Sequence, residues 1–398
     1  MSTTDSLPEL GHGYLMPTYP PQPVTFVRGE GTVLWDDAGT RYLDFLTGLA
    51  VISVGHANPE VADAIGEQAR TLTHVSNLYG NDVGWRVAEV LDRLLGGGGQ
   101  VFFSNSGAEA NECAIKLARK HGGRGKHVIV SAFRSFHGRT LATLHATGQP
   151  EKHEAFQPLP EGFRHVVYDD VAELEKAIDP SVAAILLEPI QGEGGVNTTS
   201  IEYLADVRRL CDERDVLLVL DEVQTGLGRT GAWFAHQHVG VSPDIVTMAK
   251  ALGNGMPIGA CWARRDVASS FVPGDHGSTF GGQPLAASAA LATLRIMERD
   301  DLPARAAKTG EYLQRELADL PGVSEVRGMG LLVAAELEPG IDAKAVQATA
   351  LATGLVVNAV TPTALRFAPP LTVSGVEVDE ALVILRAALD AHRPEVEA

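Results

Sequence analysis

Residues 216–226 read VLLVLDEVQTG, and this stretch decides the fold. Five consecutive apolar residues, Val216–Leu220, indicate a β-strand covered on both faces, because a strand with one wet face alternates apolar and polar residues. Working outward, three more segments predict strands, at 101–103, 127–130 and 182–187, and helical patterns separate them. Strands that alternate with helices predict an α/β fold with a mostly parallel, doubly wound sheet.

The two ends of the chain differ from this central region. Residues 1–30 are rich in proline and predict an extended arm, and residues 31–44 alternate around a DAGT turn, which indicates a hairpin. Helical patterns follow at 59–71 and 84–95. After about residue 285 the pattern becomes α+β, with predicted helices and strands in the order 285–295 (helix), 306–317 (helix), 326–336 (strand), 365–367 (strand) and 379–391 (helix).

These patterns predict three parts of the chain. Residues 1–50 form an N-terminal arm and part of a small domain, residues 51–285 a large ligand-binding domain, and residues 286–398 a C-terminal small domain of α+β type. At ~100–200 residues per domain, 398 residues are enough for this division.

The composition narrows the class of protein. The net charge is −18 and no dense run of Lys or Arg is present, which argues against nucleic-acid binding. Three cysteines, Cys113, Cys211 and Cys261, occur without a CxxC spacing, so we predict neither a disulfide framework nor a metal site and favour a reducing cytoplasm. The N-terminus has no signal-peptide pattern, and no run approaches the ~18–20 apolar residues of a membrane span.

A candidate anion site follows the predicted strand at 101–103. Residues 104–109 read SNSGAE, and the S-x-x-E spacing of Ser106 and Glu109 predicts a capping box at a helix start. The free N–H groups and the dipole of a helix N-terminus favour an anion such as phosphate. Neither G-x-G-x-x-G nor a Walker motif is present, so we do not expect a dinucleotide or a nucleoside triphosphate. An ordinary capped helix is the alternative.

Asp221 and Gln224 come directly after the strand that decides the fold. In open α/β sheets ligands bind beyond the carboxyl ends of the strands. A carboxylate there suits a protonated ring nitrogen, whose pKa it raises by charge pairing, and Gln224 could bind a ring hydroxyl. A magnesium ligand and a helix N-cap are the alternatives, although the P-loop partner of such a magnesium site is missing.

Lys250 ends the apolar run DIVTMAK and precedes the glycine-rich segment GNGMPIG. A lysine between apolar residues and such a loop is placed to lose its proton and act as a nucleophile. A surface lysine with a buried stem is the alternative.

Further polar and aromatic candidates lie in four other segments. In FHGRT, Phe136 could stack on a flat ring and Arg139 could bind a carboxylate. The other candidates are Glu193 in QGEGG, Arg366 in LRFAPP, and Ser278 and Thr279 in STFGG. Core packing and solvent-exposed charges explain the same residues without a ligand.

Together these segments closely resemble the class III (ω-amino-acid) aminotransferases, which use pyridoxal 5′-phosphate (PLP). The resemblance runs from about Tyr19 to Leu385 and rests on SNSGAEANECAIKLAR, FHGRT, LLEPIQGEGG, LLVLDEVQTGLGRTG, DIVTMAKALGNGMPIGA, HGSTFGGQPLA and LRFAPPL. It implies fold type I of PLP-dependent enzymes and a homodimer with shared active sites. The motifs are most similar to those of acetylornithine aminotransferases. The ornithine, succinylornithine, succinyldiaminopimelate and 4-aminobutyrate aminotransferases stay open as alternatives.

The resemblance also implies a role for each candidate residue. Lys250 and Asp221 are the implied catalytic pair. Ser106, Gly107 and Ala108 are implied to contact the cofactor phosphate, and Thr279 the phosphate of the neighbouring subunit's cofactor. Phe136 is implied to stack on the ring, Asp221 to pair with the ring nitrogen, and Gln224 to bind the ring hydroxyl. Lys250 is implied to form the Schiff base. Arg139 is implied to bind a substrate carboxylate, and Ser278 to make a further substrate contact. Arg366 is implied to bind the α-carboxylate of glutamate, and Glu193 to pair with Arg366 when the other substrate is bound. Many relatives have Thr where this chain has Ala108, so one hydroxyl is absent here.

Overall fold

The computed structural model describes residues 14–393. In chain order its strands are β1 (Phe26–Glu30), β2 (Val33–Asp36), β3 (Arg41–Asp44), β4 (Gly99–Ser104), β5 (Val128–Ala132), β6 (Phe163–Val166), β7 (Val182–Leu187), β8 (Ile190–Gln191), β9 (Asn197–Thr198), β10 (Leu217–Asp221), β11 (Ile245–Met248), β12 (Gly259–Arg264), β13 (Val323–Met329), β14 (Leu332–Leu337), β15 (Leu355–Val356), β16 (Asn358–Ala359) and β17 (Ala364–Phe367). The helices of six or more residues are Pro59–Thr71, Asp82–Leu94, Gly107–Gly122, Leu141–Ala146, Val171–Ala177, Ile201–Arg214, Pro284–Arg299, Leu302–Ala318, Ala343–Ala352 and Gly375–Asp390.

A seven-stranded sheet in the order β4-β12-β11-β10-β7-β5-β6 forms the centre of the fold. Neighbouring strands pair in parallel except at β12, which is antiparallel to both β11 and β4. Every residue of β7 and β10 is buried, as the uninterrupted apolar runs predict. The predicted α/β fold with a mostly parallel sheet is therefore confirmed, and helices lie between its strands along the chain.

The helix Gly107–Gly122 packs its apolar face on this sheet. Ala110, Cys113, Ala114 and Leu117 are buried on that face, as their spacing predicts. Ser106 caps the helix by accepting a hydrogen bond from the Glu109 N–H, an interaction that contributes about 1 kcal/mol in other proteins. This packing fixes the start of the helix at the edge of the sheet, beside the carboxyl end of β10.

Two four-stranded sheets lie outside the central sheet, and one of them, β1-β2-β3-β15, joins the two ends of the chain. The predicted hairpin is observed as β2 and β3, and β3 also pairs in parallel with β15 from the C-terminal region. The pairing supports grouping the N-terminal hairpin with the C-terminal segment, and we keep the three-part division as a proposal. Residues 1–13 and 394–398 lie outside the described residues. The start of the predicted arm and the prediction about a signal peptide fall on residues 1–13.

The structure adds a strand to one predicted segment of these outer sheets and contradicts another prediction. The predicted arm contains a strand, β1, which pairs with β2 and is held by Arg28 over the Trp35 ring. The predicted single strand at 326–336 is a hairpin of β13 and β14, because the backbone reverses at Gly330 with φ of +55°. No helix among residues 14–393 is long and apolar enough to cross a membrane.

Candidate active site

A cavity of about 390 Å³ lies beyond the carboxyl ends of β4, β7, β10 and β11. Nine of the residues that the sequence singles out line it: Ser106, Gly107, Ala108, Phe136, Arg139, Glu193, Asp221, Gln224 and Lys250. Arg366 lies behind this wall, where it contacts Glu193 and Gln224. The position agrees with the rule that open α/β sheets bind ligands at this edge.

The start of the helix Gly107–Gly122 forms one wall of the cavity. The first N–H groups of a helix have no acceptor within it, so Gly107 and Ala108 present donors and the positive end of the helix dipole. A Cβ on Gly107 would lie 2.8 Å from the Val223 side chain, so a larger residue would displace that wall. Only half of the predicted capping box forms, because the Glu109 carboxylate accepts from the N–H of Asn105 and not from that of Ser106.

Asp221 is held by three hydrogen-bond partners at the end of β10. Its Oδ2 accepts from Nδ2 of Asn111 at 2.7 Å and lies 2.8 Å from Nδ1 of His137. Its Oδ1 accepts from the Val223 N–H at 3.0 Å. Asn111 is held in turn, since it accepts from the Thr247 hydroxyl and donates to the His137 carbonyl. The network fixes one orientation of a buried carboxylate beside the cavity.

Glu188 is a second buried carboxyl group at this edge of the sheet. It follows β7 directly and lines the cavity. Burial raises the pKa of Glu188 well above its ordinary value, and the nearby charge of Asp221 raises it further. One carboxyl oxygen accepts from the Phe136 N–H at 2.9 Å, so Glu188 also positions the loop that carries Phe136.

Lys250 enters the cavity two residues after the end of β11. Its φ of +39° is unusual for a residue with a side chain and costs on the order of 1–3 kcal/mol, which the surrounding fold must offset. Burial lowers the pKa of Lys250 to about 8. The Glu193 carboxylate raises this pKa and the Arg366 guanidinium lowers it, both by less than burial does. About a tenth of this amine is therefore unprotonated at pH 7, and the unprotonated form is the nucleophile.

Arg366 and Glu193 form an ion pair behind the cavity wall. Nη1 of Arg366 lies 2.6 Å from Oε1 of Glu193, and the Arg366 side chain is 1% exposed. Arg366 also donates to Gly192 O at 3.1 Å and to Asn358 Oδ1 at 2.8 Å. Burial alone would raise the pKa of Glu193, but the net shift is downward because Arg366 stabilises its charge. The solvent-facing alternative for Arg366 is therefore wrong.

Gln224 lies between this ion pair and Asp221. Its Oε1 is 3.4 Å from Nη1 of Arg366. A Cβ on Gly192 would lie 1.6 Å from the same Oε1, so only glycine fits beside it. Phe136 is half-buried on another wall, and the guanidinium carbon of Arg139 lies 5.5 Å from the centre of its ring.

Ser278 and Thr279 do not reach the cavity. They line a separate pocket of about 320 Å³ together with Asn105 and Glu109. The Ser278 hydroxyl accepts from Asn105 Nδ2 at 3.2 Å. Asn105 lines both spaces, so the two pockets adjoin. No cluster of three or more His, Cys, Asp or Glu side chains in residues 14–393 is arranged to hold a metal ion.

Comparison with known proteins assigns the family. The family described as Aminotransferase class-III matches residues 14–389. The chain belongs to the class-III aminotransferases. Acetylornithine aminotransferase of Caldanaerobacter subterraneus subsp. tengcongensis is 49% identical over 389 residues, which cover 96% of this chain and 98% of that protein. The protein of the same name from Mycolicibacterium smegmatis is 48% identical over 378 residues, 94% of this chain and 96% of that one.

Solved structures agree with this assignment. The structure of Toxoplasma gondii ornithine aminotransferase, described as showing partial occupancy of PLP at its active site, has a TM-score of 0.91 and 36% identity. The match covers 96% of this chain and 93% of that one. The fold and class expected from the sequence motifs are therefore confirmed.

Sequence reasoning missed three residues of this class-III aminotransferase site. Glu188 could have been found by the rule applied to Asp221, since it also follows a buried apolar strand. His137 lies in FHGRT between the two residues singled out there, Phe136 and Arg139, and it contacts the Asp221 carboxylate. Asn111 carries no local signal, because its position on a helix face says nothing about a strand 110 residues later.

Proposed function

We propose that this enzyme binds PLP and transfers the terminal amino group of N2-acetyl-L-ornithine to 2-oxoglutarate. The products are N-acetylglutamate 5-semialdehyde and L-glutamate, and the reaction belongs to arginine biosynthesis. The observation that carries the proposal is that the Lys250 amine and the Asp221 carboxylate line one cavity with a helix N-terminus. The relatives named acetylornithine aminotransferase, at 48% and 49% identity, support the choice of donor.

The residues of the cavity fit each chemical group of PLP. The helix start at Ser106, Gly107 and Ala108 suits a phosphate, and Phe136 offers a flat apolar face to a ring. Asp221 suits a protonated ring nitrogen, and Gln224 could bind the ring hydroxyl. When bound, PLP supplies an electron sink for the charge that develops on the substrate carbon.

The side chains of the chain then supply binding and proton transfer. Lys250 would hold the cofactor covalently and, once released by the incoming amine, would move a proton at the substrate carbon. Asp221 would keep the ring nitrogen protonated, and its hydrogen bonds with Asn111 and Val223 hold the carboxylate in place for that role.

Glu193 and Arg366 would let one site accept two different substrates. While Glu193 is paired with Arg366, the charge of Arg366 is neutralised, and the long chain of the amine donor can lie beside the pair. With Glu193 displaced, Arg366 would take the α-carboxylate of glutamate or 2-oxoglutarate bidentately. Arg139 would take the carboxylate of the donor. Ser278, which does not reach this cavity, would make a further substrate contact in the neighbouring subunit of a homodimer.

We also propose a homodimer, in which Thr279 reaches the phosphate of the neighbouring subunit's cofactor. Several large apolar side chains are exposed beside the pocket that holds Thr279: Leu78, Tyr79, Trp85 and Phe280. An exposed apolar patch of this kind is typical of a protein interface. For location we propose the cytoplasm, in keeping with three cysteines that are all unpaired.

A panel of amino donors tests this proposal. Single-turnover reactions of the PLP-loaded enzyme would compare N2-acetylornithine with ornithine, N2-succinylornithine, succinyldiaminopimelate and 4-aminobutyrate. We expect the highest kcat/KM for N2-acetylornithine. If the kcat/KM of another donor were tenfold higher, that donor would replace N2-acetylornithine as the assigned substrate. A purified protein that shows no PLP absorbance, even after incubation with PLP, would contradict the whole proposal.

A further inference from the structure

Lys152 is a second cation beside the catalytic cavity. Its ammonium nitrogen lies 5.7 Å from the centre of the Phe136 ring, and the guanidinium carbon of Arg139 lies 5.5 Å from the same point. Arg139 lines the cavity, and Lys152 ends the short turn Pro150–Lys152 next to it. Two cations therefore lie near one aromatic side chain that lines the cavity.

Neither cation is paired with a carboxylate in the part of the chain that the structure describes. Within residues 14–393, no Asp or Glu oxygen lies within 4.0 Å of a side-chain nitrogen of Arg139 or Lys152. The ammonium of Lys152 donates to the side chain of Gln149, which is neutral. This arrangement stands out in a chain with a net charge of −18, in which many other arginines and lysines are paired with carboxylates.

An anion between these two groups would relieve their repulsion. Burial lowers the pKa of Lys152, and the positive charge of Arg139 lowers it further. A bound carboxylate has two oxygens and could accept from the guanidinium and the ammonium at once. The carboxylates of Glu151 and Glu193 raise the pKa of Lys152 from a distance, but neither is paired with it, and Glu193 is paired with Arg366.

We propose that Lys152 acts with Arg139 as a specificity-determining residue that recognises the carboxylate of the amino donor. The proposal rests on the proposed function, because it assumes a donor that carries a carboxylate distant from its reacting amine. Lys152 attracts the carboxylate by charge and does not take part in the chemical step. Its effect is therefore on KM and depends on whether the donor has a carboxylate.

Two substrates that differ only in that group test the role. N2-acetyl-L-ornithine and N-acetylputrescine are the same molecule with and without the α-carboxylate. For Lys152→Met we expect the KM of N2-acetylornithine to rise about three- to tenfold, since one partly exposed charge-assisted contact is lost. We expect the KM of N-acetylputrescine to stay within about twofold, the kcat values to change little, and Lys152→Arg to restore the KM.

A matched control separates local from general charge effects. Lys308→Met removes the same charge from an exposed position on the helix Leu302–Ala318 and should change neither KM. An equal rise of both KM values in Lys152→Met would mean that the lysine only supports Phe136 and would overturn this role, as would no rise in either. A wild-type enzyme that turns over neither donor would instead overturn the proposed function and, with it, this inference.

Discussion

Arg366 and Glu193 are joined by a 2.6 Å ion pair in which the Arg366 side chain is 1% exposed and the Glu193 side chain is 31% exposed. Arg366 also donates to Gly192 O and Asn358 Oδ1, so it has acceptors besides Glu193. Glu193 sits in the segment QGEGG, between glycines that lower the cost of backbone movement. We therefore propose that Arg366 stays in place and that Glu193 leaves it when the acceptor substrate binds.

Replacing Arg366 should damage one half-reaction selectively. In Arg366→Leu we expect kcat/KM for 2-oxoglutarate to fall roughly a hundredfold or more, because loss of a buried, hydrogen-bonded charge partner costs about 3–5 kcal/mol. The half-reaction of N2-acetylornithine should be less affected, because this donor would meet Arg366 already neutralised by Glu193. Stopped-flow measurement of each half-reaction tests this, and equal damage to both would contradict the role.

Glu193→Gln provides the complementary prediction. The variant leaves the charge of Arg366 uncovered, so the donor half-reaction should slow while 2-oxoglutarate binds at least as tightly as in the wild type. Single-turnover kinetics with each substrate separate the two effects. Slower reaction with 2-oxoglutarate alone would mean that Glu193 serves the acceptor and not the donor.

Lys250→Ala should abolish turnover and covalent attachment of the cofactor. The amine is the only nucleophile that the proposal uses, and its pKa of about 8 predicts that PLP capture by the apo enzyme accelerates as pH rises through that value. Mass spectrometry after borohydride reduction should find a PLP adduct in the wild type and none in the variant. A purified variant with normal activity would remove the central step of the proposed mechanism.

The sequence predicts site residues at the ends of strands better than it predicts the residues that hold them by hydrogen bonds. Asp221 and Lys250 follow buried strands, so one rule about the carboxyl edge of a sheet places both in one cavity. Asn111 could not be found in this way, because its contact with Asp221 depends on how a helix packs across the sheet. Local patterns report burial, whereas partners that are distant in sequence are set by packing.

Similar limits explain what was missed in the fold. β12 runs antiparallel within the sheet, and its sequence, GACWAR, contains glycine and alanine, which have little strand preference. The hairpin of β13 and β14 was predicted as one strand because apolar residues continue through its turn. Its reversal depends on the conformation of Gly330, which hydrophobic periodicity does not detect.

Asn111→Ala should reduce both stability and cofactor binding. The change removes a donor from Asp221 and from the His137 carbonyl and leaves the Thr247 hydroxyl without its acceptor. Each buried group left unsatisfied costs about 1–3 kcal/mol, so the free energy of unfolding should fall measurably in urea and PLP should dissociate more readily. Ser131→Ala is the control, because it removes one buried hydrogen bond outside the cavity and should lower stability without weakening PLP binding.

Glu188→Gln should make the free energy of unfolding less sensitive to a rise in pH from 5 to 7. The pKa of Glu188 is raised in the folded protein by burial and by Asp221, whereas the unfolded chain has the ordinary value of 4.5. Above that value the unfolded state ionises first, so this group lowers the free energy of unfolding by up to about 1.4 kcal/mol per pH unit until the folded pKa is reached. Glutamine keeps an acceptor for the Phe136 N–H without a titrating proton. The free energy of unfolding of the variant should therefore rise relative to that of the wild type between pH 5 and pH 7. Urea unfolding of both proteins at several pH values measures the gain, with the exposed Glu161→Gln as the control. A difference between Glu188→Gln and the wild type that stays constant with pH would mean that Glu188 is already ionised in the folded protein.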